Sequence, residues 1–227
     1  MNETTIIDQA TKELPGALAA LEAGDAEIAR YARAVRQLLD HVTSQSLVAL
    51  SKANQLRADD VMNPEGKRRL LTEIPSNLMA TTSEQLETAE TNLVVIEGIH
   101  LAAILKHDSK DDANLRAELG NYVATLKQEN AVATMVSLAA NPRYATFLSG
   151  PMGDSLAARF GFKPEILRET ALKALAVDGS PEQVARSRAL AGLPAARRAL
   201  GLARSGRDLA VEQVKRPLAP NPSEALR

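Results

Sequence analysis

The side chains with most chemistry to offer sit at Glu97-Gly98-Ile99-His100, where a carboxylate and an imidazole three residues apart share one face of a helix. Two such Glu-x-x-His elements, joined by a carboxylate from each of two further helices, hold a pair of metal ions inside a four-helix bundle. Here the set is incomplete. Three residues before His41 stands Leu38, three before His107 stands Ile104, and the chain has no other histidine. Glu97 and His100 therefore read as a polar break in a buried helix, with no metal and no cofactor implied.

Gly153-Asp154-Ser155-Leu156-Ala157 has part of the Gly-x-Ser-x-Gly turn that exposes a nucleophilic serine. The final glycine is missing, no strand precedes it, and every histidine lies upstream, whereas that turn needs its histidine downstream. Asp154 reads more simply as a helix N-cap. Neither the Walker phosphate loop nor Gly-x-Gly-x-x-Gly occurs. With no Cys, disulfides, thiolate metal sites and cysteine nucleophiles are excluded. The expectation is a protein that is not an enzyme.

What remains is chemistry of contact. Residues 180–216 carry eight Lys and Arg against three acidic residues, and the arginines Arg186, Arg188, Arg197, Arg198, Arg204 and Arg207 are the candidates for binding an anionic partner. A helix-turn-helix around Leu190 to Pro194 is disfavoured, because Arg188 occupies the place where that motif needs a small residue. No aromatic accompanies these arginines, so contact with nucleic acid would be electrostatic and poorly selective. Four of the six aromatics fall within 19 positions, at Tyr144, Phe147, Phe160 and Phe162. They read either as a small core or as a docking surface for another subunit. The net charge of −1 hides a polarity: residues 1–150 are net −6 and residues 151–227 net +5. That suits head-to-tail packing of copies, or an anionic partner for the C-terminal part.

The elements that position these residues read as helical throughout. One seven-residue frame runs through Ile7, Leu14, Leu21, Ile28, Val35, Val42, Ala49 and Leu56. Companions three residues later give a packing seam of Ile28, Tyr31, Val35, Leu38 and Val42, while Gln45 and Lys52 argue against a long zipper. Pro15-Gly16 and Gly24-Asp25 mark a short or kinked lead-in, with Asp25 as N-cap of the main helix. Asn63-Pro64 ends that helix, Lys67-Arg68-Arg69 opens a connection closed by Ile74-Pro75, and Thr81 with Glu84 matches a capping box for the next helix, running to about Lys106. Asp111 or Asp112 caps a third long helix with Leu115, Leu119, Tyr122, Leu126, Ala133 and Val136 on one side, stopped at Asn141-Pro142. Ser149 to Asp154 reads as a loop. Ser180-Pro181-Glu182-Gln183 is a helix start, and Gly192, Pro194, Gly201 and Gly206 cut the remaining chain into pieces.

The expected fold is all-α: an antiparallel bundle of three long helices, then several short helices and an extended C-terminal tail. Its parts are a bundle over 1–140, an aromatic and Gly/Pro junction over 141–163, short basic helices over 164–216, and a Pro-containing tail over 217–227. The expected function is that of a helical structural or assembly protein, binding itself or other protein subunits of a complex such as a bacteriophage particle, as scaffold, connector or internal virion protein. Nucleic-acid binding or regulation through the basic C-terminal helices is the alternative. The first ten residues lack the basic and apolar pattern of a secretory signal, and Leu93 to Leu105 is too short to span a bilayer. A cytoplasmic protein, or one assembled into a particle in a cytoplasm, is expected.

Overall fold

The computed structural model describes residues 3–22, 25–105 and 112–216, and all regular structure among them is α-helical, with no strand. The helices are α1 (Glu3–Glu22), α2 (Ala26–Ala58), α3 (Pro64–Ile104), α4 (Asp112–Ala124), α5 (Gln128–Ala139), α6 (Pro142–Leu148), α7 (Pro151–Phe160), α8 (Glu165–Asp178), α9 (Pro181–Leu190) and α10 (Leu193–Lys215). The described residues divide into two compact units, one running to Ile96 and resuming at Gly192, the other taking in Glu97–Ala191. This division differs from the one expected at 140 and 163. The expected tail, 217–227, lies outside the described residues.

In the first unit, α2 begins where its capping residue predicts: Asp25 Oδ1 accepts from the amides of Glu27 (2.9 Å) and Ile28 (3.2 Å), filling two of the donors a helix start leaves open. Ile28, Val35, Val42, Ala49 and Leu56 of the seven-residue frame are buried. Their companions are not Tyr31 and Leu38, which are half-buried, but Ala32, Leu39, Ser46 and Ala53, four residues on. The buried line pairs positions four apart, taking the small Ala32 in place of the bulkier Tyr31 beside it and Leu39 in place of Leu38. The Ser46 hydroxyl is satisfied within its own helix, donating to Val42 O at 2.8 Å. The seam is buried by this chain alone.

The break expected before residue 81 does not occur: α3 runs from Pro64 through Pro75 to Ile104. Pro75 removes one amide donor, yet Leu71, Ile74 and Leu78 on either side of it are buried, and so are Leu86, Ala89, Leu93 and Ile96 further along. That continuous apolar stripe holds the helix together across the proline. Thr81 caps nothing; its hydroxyl donates back to Asn77 O at 2.9 Å. The turn before α3 is fixed by Asp59, whose Oδ1 accepts from the amides of Val61 (2.8 Å) and Met62 (3.0 Å). Those two donors favour the carboxylate and hold its pKa below the ordinary 3.8.

Downstream of Gly192 the expected fragments are one helix. α10 tolerates Gly201 and Gly206 because its inner face, Ala196, Ala199, Leu200, Ala203, Ala210, Val211 and Val214, is buried. It packs against α1 and α2, and its far end joins a core with Ala53 and Leu56 of α2 and Leu71, Ile74 and Leu78 of α3. Arg57 closes that end, donating to the carbonyls of Gln213 (2.7 Å), Val214 (3.1 Å) and Arg216 (3.3 Å), the first of which also accepts from Arg216 N–H at 3.2 Å. The C-terminal helix thus completes the core of the first unit.

The second unit replaces the expected third long helix by two. After Tyr122 the chain tightens, Thr125 N–H and Oγ1 both donating to Tyr122 O, and α5 restarts at Gln128. The restart resets the helical phase: Leu119 and Val123 are buried on α4, but Ala131, Met135 and Ala139 on α5, leaving Tyr122 and Ala133 exposed. The expected loop from Ser149 to Asp154 shrinks to Ser149-Gly150 between α6 and α7, with Asp154 inside α7 rather than capping it. Gly153 is where α7 meets the end of α6; a Cβ built there would lie 1.8 Å from Leu148 O. Gly161 ends α7 at φ 75°, the left-handed conformation that suits glycine. Ser180 and Gln183 form a capping box at the expected start of α9, and Gln183 Nε2 also donates to Ile104 O at 2.8 Å, tying α9 to the end of α3.

Candidate interaction surface

The residues singled out for chemistry fall in separate places. His100 is buried and Glu97 half-buried on the last turns of α3, and among the described residues no group of three or more His, Cys, Asp or Glu could hold a metal ion. Ser155 is exposed on α7. Asp154 beside it accepts from Arg168 Nη2 on α8 at 2.6 and 2.7 Å, a stitch between two helices.

The aromatic group lies in the second unit. Phe147 is buried, and Tyr144, Phe160 and Phe162 are half-buried against a core of Val123, Met135, Leu148, Leu156 and Leu167. Three of the four rings thus pack on this core with part of their surface exposed. The Tyr144 hydroxyl donates to Glu118 Oε1 at 2.5 Å, while Arg143 Nη2 donates to Glu118 Oε2 at 2.9 Å. The bond to Glu118 favours the neutral phenol and raises its pKa above the ordinary 10.0.

The six arginines divide between the units. Arg186, with a largely covered side chain, and exposed Arg188 belong to the second. Arg197, Arg198, Arg204 and Arg207 lie on α10 in the first. Arg207 is buried, its guanidinium donating to Asp208 Oδ1 (2.7 and 2.9 Å) and reaching Ser83 Oγ on α3 at 3.4 Å. Its role there is packing and pairing, not contact with an outside anion.

Arg204 points to the surface the structure assembles. Its Nη2 donates to Glu90 Oε2 on α3 at 2.9 Å. With Arg197 it borders a shallow open groove of about 270 Å³ between α3 and α10, whose apolar lining is Leu93, Val94 and Leu200. Val94 is 54% exposed, a branched aliphatic side chain held at the surface by a helix whose next residues inward are fully packed. Gly201, also in the lining, is exposed, and a Cβ there would meet nothing within 4 Å. The groove has an apolar floor between charged rims.

Reading the sequence found Arg197 and Arg204 but not Glu90, Leu93, Val94, Leu200 or Gly201. Their local patterns are those of two ordinary amphipathic helices, and more than a hundred residues separate the two sides of the groove. No helix among the described residues is long and apolar enough to cross a membrane. No protein-family model matches the chain, and neither a curated protein nor a solved structure matches it.

Proposed function

We propose that the protein is a non-enzymatic helical structural or assembly protein, which oligomerises or docks as a subunit in a larger complex. The observation that carries this reading is the α3–α10 groove, where Val94 stands exposed between the Glu90–Arg204 pair and Arg197. An apolar floor within a charged rim has the make-up of a protein-contact surface, an apolar centre bordered by polar groups. Support also comes from the seam of α2, which its own chain satisfies, so that contact with partners falls to outer faces. A chain of this character, rich in helix and free of cysteine, suits a bacteriophage particle as scaffold, connector or internal virion protein, assembled in a cytoplasm.

The nucleic-acid alternative has less support. Of the six arginines, Arg207 is buried, Arg204 is paired with Glu90, and Arg186 and Arg188 belong to the other unit. Gentle purification from the cells that make the protein tests the reading. The expected result is a particle heavier than the 24.3 kDa chain, containing protein and little nucleic acid. With three Tyr and no Trp, bound nucleic acid would dominate the ultraviolet absorbance. Recovery as a lone chain, or as a nucleic-acid complex dispersed by salt, overturns it.

A further inference from the structure

The register of α3 against α10 decides what the groove is shaped to receive. Arg204 meets Glu90 and Arg207 meets Ser83, so the two helices run antiparallel, rising residue numbers on one facing falling numbers on the other. Carried one turn further, that register sets Gly201 of α10 level with Val94 of α3. One face therefore holds, at one height, a projecting side chain on α3 and a glycine notch on α10. One turn away, at a second common height, it holds a carboxylate on α3 and a guanidinium on α10.

Such a face is complementary to itself. A two-fold axis along the groove lays α3 of one copy over α10 of another without changing height. Val94 then enters the second copy's Gly201 notch, and Glu90 lies over the second copy's Arg204, each contact occurring twice, as an isologous interface requires. At the height of the ion pair the exposed Glu90 of α3 and Arg204 of α10 carry opposite signs, so the two faces attract at that level. Gly201 has open space above its backbone, so the approach meets no side chain of its own position.

We infer that the α3–α10 face is a self-association surface, and that its occupant is a second copy of this chain. The inference rests on the assembly reading and names its partner. The groove involves few residues where a stable interface takes about 20–30 a side, so the dimer is weak, with a dissociation constant of about micromolar or above.

Sedimentation of the purified full chain across a range of concentrations tests this. The wild type should show a monomer–dimer equilibrium. Val94→Asp should weaken it at least about 10-fold, since it sets a charge into the notch, and Gly201→Leu should do likewise by filling the notch. Glu90→Arg and Arg204→Glu should each fail to dimerise alone yet pair when mixed, because each restores opposite charges across the axis. Circular dichroism of the variants confirms that they are folded; all four positions are exposed, so the helices should persist. A wild type that stays monomeric at about millimolar concentration, or a dimer indifferent to Val94→Asp, overturns the inference. A monomeric purified chain beside a mixed complex recovered from cells would refute self-association and leave the assembly reading standing.

Discussion

Replacing Gly153 by alanine puts one methyl group where α6 hands over to α7, and the consequence can be worked from distances. The new Cβ would lie 1.8 Å from Leu148 O and 2.6 Å from Leu148 C, whereas such contacts need at least about 3 Å. Both obstructing atoms are backbone, so no rotamer change relieves the clash, and the N-terminal turn of α7 must move off α6 by more than about 1 Å. Leu148 and Leu156, buried on the two sides of that turn, share one core with Met135 and Leu167 and would separate. Overpacking costs about 1–3 kcal/mol, and parting buried leucines adds to it, against the ~1 kcal/mol that Gly→Ala gains in a helix. We expect a net loss of about 3 kcal/mol, lowering the melting temperature of the second unit by about 10–20 °C. Gly120→Ala, on α4 of the same unit with nothing within 4 Å of its Cβ, should instead stabilise by about 0.5–1 kcal/mol. Thermal and denaturant unfolding of both variants makes the comparison. If Gly153→Ala melts at or above the wild-type temperature, the close approach of α7 to Leu148 O is not a feature of the fold.

Val35→Asp places a carboxylate at a fully buried position of the α2 seam and should cost several kcal/mol, read as loss of the cooperative unfolding transition; an unchanged melting curve would count against the seam. Gln183→Glu keeps the acceptor for Ser180 N–H but loses the donor to Ile104 O and sets a negative charge at the C-terminal end of α3. It should destabilise by about 1–3 kcal/mol, against a smaller loss for Ser180→Ala, measured by urea unfolding. The bond from Tyr144 to Glu118 raises the phenol's pKa in the folded chain above its unfolded value near 10.0. Its contribution is therefore complete below that pH and lost as pH rises through the raised value. Tyr144→Phe should lower stability at neutral pH, where the bond is intact, and flatten the alkaline fall, as read from unfolding curves taken across pH.

Short-range signals were legible because they act within a few residues. Asp25, with amide donors two and three positions on, and Ser180 with Gln183 mark their helix starts without reference to anything distant. The helical period of the apolar residues likewise specifies an all-α chain, and the seven-residue frame from Ile28 to Leu56 picks out residues that are buried. Breakers were misleading for the same reason: Pro75, Gly201 and Gly206 lower local helix stability, and only packing shows that the helices continue. A proline costs about 3 kcal/mol in a helix interior, less than the burial gained by the apolar side chains of α3 flanking it. Conversely, Thr125 to Lys127 carry no breaker, yet the chain stops there and restarts in a new phase. Which companions complete the α2 seam was also beyond the sequence, because the choice between Tyr31 and Ala32 depends on the helix that packs there. The candidate site lay furthest from view. Val94 and Gly201 become neighbours only through the antiparallel register of α3 and α10, and tertiary packing sets that register, with Arg204 on Glu90 and Arg207 at Ser83 marking it.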